Sequence, residues 1–437
     1  MGALRAAALV GLFTAAACAG EAPPPAPAVV RASTVVSLTF DDTLADQLRA
    51  RPMLESRGLR ATFYVSSSRF GGVGLDGSAY MSLDDARALL AAGHEIGGHT
   101  ISHLPLPSLD PDEQRRQVCD DRARLLALGF PARHFAYPRG ATSPETAAIV
   151  AGCGYDSARL TNGLSDAKPV ETTPPADAFA LPVAVTVQTG TTLAKLQGYV
   201  ERAERSGGGW VPILMHHVCD DGCSVDAITP ATLDAFLAWL AARRDAGTEV
   251  RTVGEVIGGP LRPAVPGPPP PGPRTTENLL TNPSLEATRD GVVAQCWQLG
   301  SGGLRSPAWS RSIEVHEGSW SEALGPGTAS RAERRIASVM DQGGCAPAAR
   351  TGHAYVASAW YVADGPVALV AYARASSGLW SPWVEGTPAP AAATWSRIEL
   401  ALPPAPPDVE AISVGLVRRD DGAMIADDFA LVDRGAP

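Results

Sequence analysis

The apolar run Val35-Val36-Ser37-Leu38-Thr39-Phe40 is short and rich in β-branched residues, which reads as a buried strand. The pattern then alternates. Leu44–Arg57 is periodic as a helix and is stopped by Gly58. Ala61–Val65 is strand-like, and Ser82 caps a helix that runs to Ala92. Asp110-Pro111 opens a longer helix ending at Gly129, since Pro is well placed at the first helical position. His134–Tyr137, Tyr155–Arg159, Trp210–His216 and Glu249–Thr252 read as further strands. Ser143-Pro144 and Thr229-Pro230 start the helices between them. Strands alternating with helices predict a parallel sheet, open or closed into a barrel.

This pattern ends at a Pro-rich stretch, with Pro260, Pro263, Pro266 and the run Pro268–Pro271. Such a segment is a semi-extended linker. Beyond it helix periodicity vanishes, and short alternating strands such as Ala354–Val362 and Val367–Ala373 predict a β-sandwich. Met1–Ala17 carries one basic residue, Arg5, and the apolar run Ala6–Ala17, too short to span a membrane and shaped as an export signal. The chain therefore divides into a signal at 1–18, a Pro-rich spacer at 19–32, an α/β domain at 33–258, the linker at 259–275 and an all-β domain at 276–437.

Composition narrows the function. A length of 437 residues supports two ordinary domains. A net charge of −10 leaves no basic excess to neutralise phosphates, which excludes a nucleic-acid partner. The seven cysteines are odd in number, and setting Cys18 aside leaves three local pairs: Cys119 with Cys153, Cys219 with Cys223, and Cys296 with Cys345. Disulfides imply an oxidising compartment, in agreement with export. Three alanines directly before Cys18 resemble a bacterial lipoprotein cleavage site, so envelope attachment through a lipidated Cys18 and simple secretion both stay open. The protein is expected to act as a monomer.

The chemistry gathers at strand ends. The first strand ends in Asp41-Asp42, and Gly93–His103 holds His99 and His103. Imidazoles spaced i, i+4 are expected on one face of a helical turn, where they can grip one ion. Two His and one carboxylate leave a position open for water, and a second carboxylate can act as its base. A His2Asp site suits Zn2+, with Co2+ or Mn2+ also suited. No G-x-S-x-G elbow is present, which argues against a serine hydrolase.

The order Thr39-Phe40-Asp41-Asp42, His99-Thr100-Ile101-Ser102-His103 and Leu214-Met215-His216 resembles the NodB-type polysaccharide deacetylases, carbohydrate esterase family 4, over Val35 to Ile257. The resemblance implies a distorted, incomplete (β/α) barrel. It implies Asp42, His99 and His103 as metal ligands, Asp41 as general base and His216 as the acid that protonates the leaving amine. It also implies a backbone donor at Arg139 for the oxyanion, with Tyr137 beside the substrate. The family arginine that pairs with the base is absent, since Ala136 stands in its place, and Arg159 is the candidate replacement and substrate-side residue. The segments Asn278–Glu286 and Asp427–Val432 resemble the jelly-roll carbohydrate-binding modules, and seven of the nine Trp lie in that half, with Trp380 and Trp383 as candidate sugar contacts in a loop. The expected activity is hydrolysis of N-acetyl groups on an N-acetylglucosamine polymer such as chitin or peptidoglycan. The alternatives are an O-deacetylase on acetylxylan and a catalytically inactive surface protein that binds carbohydrate.

Overall fold

The first strand of the computed structural model, β1 (Thr34–Phe40), is buried along its whole length. The structure describes residues 1–2, 33–220, 223–288, 291–301, 309–326 and 334–437. The export signal, Cys18 and the Pro-rich spacer therefore lie, but for Met1 and Gly2, outside the described residues. Alternation along β1 divides its side chains. Val36, Leu38 and Phe40 join the large apolar core, while Ser37 and Thr39 take the opposite face.

The strands that follow are β2 (Thr62–Val65), β3 (Glu95–Gly98), β4 (His134–Ala136), β5 (Ser157–Gly163), β6 (Leu181–Val183), β7 (Val185–Thr186) and β8 (Gly209–Met215). They pair in the order β6-β5-β4-β3-β2-β1-β8-β7. Every pairing is parallel. Since β6 runs almost directly into β7, the chain itself bridges the two ends of the sheet, and the result is a nearly closed, irregular barrel. A short parallel pair, β9 (His217–Val218) with β10 (Ala227–Ile228), follows β8, and β11 (Thr248–Val250) pairs with the start of β1. One mouthful of the interior is apolar: Val35, Tyr64, Ala136, Leu181, Trp210 and Val253 form a separate cluster.

The helices are α1 (Ala50–Glu55), α2 (Leu83–Ala91), α3 (Pro111–Arg115), α4 (Asp121–Ala127), α5 (Pro144–Gly152), α6 (Leu193–Arg205), α7 (Pro230–Ala241) and α8 (Val253–Ile257). The caps expected at Ser82, Asp110, Ser143 and Thr229 all accept from backbone N–H groups of the first helical turn. Two helices differ from expectation. The helix expected from Leu44 begins as a 3-10 turn, Ala45–Arg49, and becomes α1 at Ala50, with Pro52, whose missing N–H is tolerated there, in its first turn. The helix expected over 111–129 carries a π-helical turn, Arg116–Asp120, between α3 and α4. Among the described residues no helix is long and apolar enough to cross a membrane.

The described residues of the second half hold ten antiparallel strands: β12 (Trp297–Ser301), β13 (Trp309–Ser312), β14 (Ser321–Leu324), β15 (Arg334–Ser338), β16 (Ala354–Ala363), β17 (Ala368–Ala375), β18 (Trp380–Glu385), β19 (Ala392–Leu402), β20 (Val409–Arg418) and β21 (Met424–Gly435). They form two five-stranded sheets, β12-β15-β20-β17-β18 and β13-β14-β21-β16-β19, packed as a sandwich around residues such as Tyr355, Leu369, Val414 and Phe429. The Pro-rich segment is strapped along the barrel. Arg122 donates to the carbonyls of Arg262 and Pro263 (both 2.8 Å), and Gly267 N–H donates to Asp120 (2.7 Å). Residues 32–437 accordingly make one compact unit.

Candidate active site

The site lies where β1, β3, β4, β5 and β8 end, at the C-terminal rim of the barrel. After Phe40 the chain turns sharply, with Asp42 at φ 80° and Thr43 at φ 64°. Side chains with a Cβ rarely adopt this left-handed region, and such strain clusters at functional sites. The turn sends two adjacent carboxylates to different partners.

Asp42 faces both histidines. Its Oδ1 lies 3.1 Å from His103 Nε2 and 3.6 Å from His99 Nε2. Metal–ligand bonds of about 2.0–2.2 Å in a tetrahedral shell place ligand atoms roughly 3.3–3.5 Å apart, so the donor set fits one divalent cation. His99 Nδ1 donates to Ala136 O (2.7 Å), because a carbonyl can only accept. That bond leaves the Nε2 lone pair facing Asp42. Burial holds His99 below its ordinary pKa, and burial with the nearby Arg69 and Arg139 charges holds His103 well below it. Both rings are thus neutral, the form that binds metal. Burial alone would raise the Asp42 pKa, but His103, Arg69, His216 and His99 together hold it well below the usual carboxylate range.

The helical turn expected for the two histidines is corrected. His99 follows β3 directly, and residues 99–103 form a loop. Thr100 (φ 67°) and His103 (φ 55°) reverse the chain so that the two rings meet with centroids 4.8 Å apart. Gly98 is required just before it: a Cβ there would lie 1.9 Å from the Tyr155 hydroxyl oxygen.

Asp41 is buried and bonded through both oxygens to Nη2 of Arg159. Arg159 comes from β5, is itself buried, donates Nη1–H to Leu160 O (2.7 Å) and lies over the Tyr64 ring (5.1 Å). Its side chain therefore serves Asp41 and not the substrate. Gln47 Nε2 donates to the carbonyls of Asp41 and His216 (3.1 Å for the second), tying the ends of β1 and β8 together.

His216 Nε2 stands 3.9 Å from Asp42 Oδ2, and its side chain is partly exposed. His217 turns away to Asp46, Nδ1 to Oδ2 at 2.7 Å. Burial works against its charged form, yet the Asp46 bond and charge raise its pKa. Arg139, at φ 58°, occupies the tight turn after β4. The N–H groups of Gly140 and Ala141 are used inside that turn (2.9 and 3.1 Å), while Arg139 N–H meets no carbonyl among the described residues.

Two expected substrate contacts, Tyr137 and Trp380, are corrected, as is the loop expected to carry Trp380 and Trp383. The Tyr137 side chain is buried and donates its O–H to Phe179 O (3.0 Å), so it belongs to the core. Trp380 and Trp383 lie on strand β18 and not in a loop. Trp380 is 6% exposed within an apolar cluster and presents no face to solvent. The open aromatic group is elsewhere: half-buried Trp360 stacks on His316 (3.9 Å), and Trp395 meets the same ring edge-on.

The sequence reading missed Arg69, which donates to Asp42 Oδ1 (2.9 Å) and Asp42 O (3.1 Å). It also missed Asp121, which accepts from the N–H groups of Ser67 (2.7 Å) and His99 (3.3 Å). Burial pushes the Asp121 carboxyl up to about 6. No motif marks either residue. A second cluster, His217 with Cys219 and Cys223, gathers donor atoms, but its cysteines are joined in a disulfide.

This geometry coincides with a match to known proteins. Residues 29–158 match the polysaccharide deacetylase family. A chitin deacetylase of Pestalotiopsis sp is 29% identical over 136 residues, which are 30% of this chain and 44% of that protein. A chitin deacetylase of Colletotrichum lindemuthianum is 28% identical over 162 residues, 35% of this chain and 62% of that one. The chain thus spans less than two thirds of the length of these relatives. Among solved structures, a family 4 acetyl xylan esterase from Clostridium thermocellum with a cobalt ion is 25% identical, with a TM-score of 0.36, covering 53% of this chain and 96% of that one.

Proposed function

We propose that the protein is a metal-dependent hydrolase that removes N-acetyl groups from an N-acetylglucosamine polysaccharide of the chitin or peptidoglycan kind. The observation that carries this reading is the placement of two carboxylates with separate partners: Asp42 among two neutral imidazoles, and Asp41 on a buried arginine. A divalent cation held by Asp42, His99 and His103 would lower the pKa of a water and polarise the acetyl carbonyl. Zn2+ suits the donor set, and Co2+ or Mn2+ would also fit.

The side chains divide the remaining work. Asp41 accepts the proton of the attacking water, and Arg159 holds its carboxylate in place. The free N–H of Arg139 donates to the oxygen that gains charge in the tetrahedral intermediate. His216, across the site, gives a proton to the departing amine. Arg159 takes the part of the family arginine missing at Ala136, which supports an active enzyme over an inactive binding protein.

Export into an oxidising compartment is supported by the disulfides Cys119–Cys153, Cys219–Cys223 and Cys296–Cys345. A carbohydrate-binding role for the sandwich is supported by Trp360 and Trp395 around His316. The deciding experiment is acetate release by zinc-loaded protein from N-acetylglucosamine oligomers and from acetylxylan. Release from the amide substrate, lost in Asp41→Asn with zinc still bound, is expected. Release from acetylxylan alone would replace the amide reading with an ester one, and no release from either would overturn the enzyme reading.

A further inference from the structure

The loop that carries His99 and His103 is held from outside the barrel. One hold comes from the turn between β17 and β18 of the sandwich. A Cβ on Gly378, at φ 88°, would lie 2.7 Å from Cγ2 of Ile101 and 3.2 Å from Cβ of Ser68. This turn therefore rests on the middle residue of the histidine loop, and Ser68 Oγ in turn donates to Ile101 O (2.5 Å). Arg124 Nη1 donates to the carbonyl of Ser377, and the Leu379 side chain would be 2.6 Å from a Cβ on Gly72. Residues 69–80 are the segment that also supplies Arg69 to Asp42.

The second hold is a chain of hydrogen bonds. Gln117 lies in the π-helical turn, a feature frequent at functional sites. Its Oε1 accepts from Ser102 N–H (2.9 Å), and its own carbonyl accepts from Ile101 N–H (3.2 Å). Its Nε2 donates to Glu113 Oε1 (2.8 Å), which also accepts Gln342 N–H from the sandwich (3.2 Å). Glu113 and Gln117 are fully buried, and Asp341 beside Gln342 is 1% exposed. None of these residues reaches a candidate ligand atom.

The loop needs such support. Thr100 and His103 both sit in the left-handed region, and strained residues persist only where the surroundings over-determine them. We propose that the sandwich is a positioning part of the metal centre: its Gly378 turn and the Gln342–Glu113–Gln117 chain hold residues 99–103 in the shape that brings the two imidazoles to Asp42. This rests on the metal-site reading above.

The test is cobalt binding to the full chain, followed by calorimetry and by the visible spectrum of the bound ion, with amide exchange of the 99–103 segment. Gln117→Met keeps volume and removes the side-chain hydrogen bonds to Ser102 and Glu113, while Gly378→Ala acts only from the sandwich and keeps the test alive if Gln117→Met does not fold. Both are expected to weaken cobalt binding by about ten-fold or more, as loss of supporting contacts around metal ligands does. Both should also alter the spectrum and speed exchange at Ile101 and Ser102. Glu399→Ala, on the other sheet, should match wild type. Folded Gly378→Ala with wild-type affinity, spectrum and exchange would overturn the proposal. Wild-type protein that takes no cobalt would overturn it together with the metal site. Cobalt binding without acetate release would count against the proposed reaction alone.

Discussion

Arg159 lies on β5 and Asp41 directly follows β1, with three strands between β5 and β1 in the sheet order, yet their side chains pair inside the barrel with both groups almost wholly buried. A buried carboxylate left without its cation costs about 3–5 kcal/mol, so this pair anchors the candidate base in the folded barrel. Arg159→Met is expected to lower acetate release by roughly 10²-fold or more, the range of a disabled general base. It should also lower the unfolding midpoint. Arg159→Lys should recover only part of each, since an ammonium lacks the planar fork. Initial rates and calorimetric melts of the three proteins check this. Unchanged rates in Arg159→Met would remove Arg159 from the mechanism.

His216 and His217 are neighbours in sequence with opposite environments. His216 →Ala is expected to reduce kcat by about 10²–10⁴-fold with little change in KM, because protonation of the leaving group matters only in the transition state. His217→Ala should lose the Asp46 bond and some stability while keeping most of kcat. Equal losses in the two variants would show that His216 has no special role.

Much of this site was legible because its residues sit at strand ends, where periodicity places them. Asp41, Asp42 and His216 each follow an apolar run whose alternation sets the facing of the residue beyond it. The shape of the histidine loop was not legible, since i, i+4 spacing says helix and nothing local announces that Thr100 and His103 take positive φ. Arg69 and Gln117 were not legible either. Each acts through a fold-level contact, one from a loop after β2 and one from a π turn, and composition marks neither. Trp380 shows the converse: an aromatic residue near a turn reads as exposed until the packing of β18 against the neighbouring strands covers it.

Glu113 and Asp341 give a pH dependence to the contact between sandwich and barrel. Burial raises both carboxyls, and the charge of Glu113 raises Asp341 further, while bonds from Gln117 and Arg116 only partly offset the burial of Glu113. A raised folded-state pKa means that the folded protein binds more protons than the unfolded one above the ordinary carboxylate pKa of about 4. Stability from this pair is therefore full in acid and declines as pH rises through the raised values. Asp341→Asn, which stays neutral, should gain in melting temperature relative to wild type between about pH 5 and about pH 8. A difference that is flat with pH would show that the Asp341 carboxyl is not raised in the folded protein.

Removal of the metal offers the most direct reading of Asp42, His99 and His103. An ion that binds only the folded state stabilises by about 2.7 kcal/mol when present at 100 times its Kd. For a domain of this size that corresponds to a rise of roughly 2–4 °C in Tm per kcal/mol. Zinc should raise the Tm of chelator-treated wild type accordingly, and His103→Ala should abolish the rise while leaving the metal-free Tm near that of wild type, because His103 is only partly buried. Asp41→Asn should keep the rise, since Asp41 is occupied by Arg159 and lies 3.9 Å from His99 Nε2. Melting curves of the three proteins with zinc and with chelator separate the two aspartates by role. Loss of the zinc-induced rise in Asp41→Asn would place Asp41 among the ligands and leave the site without its base.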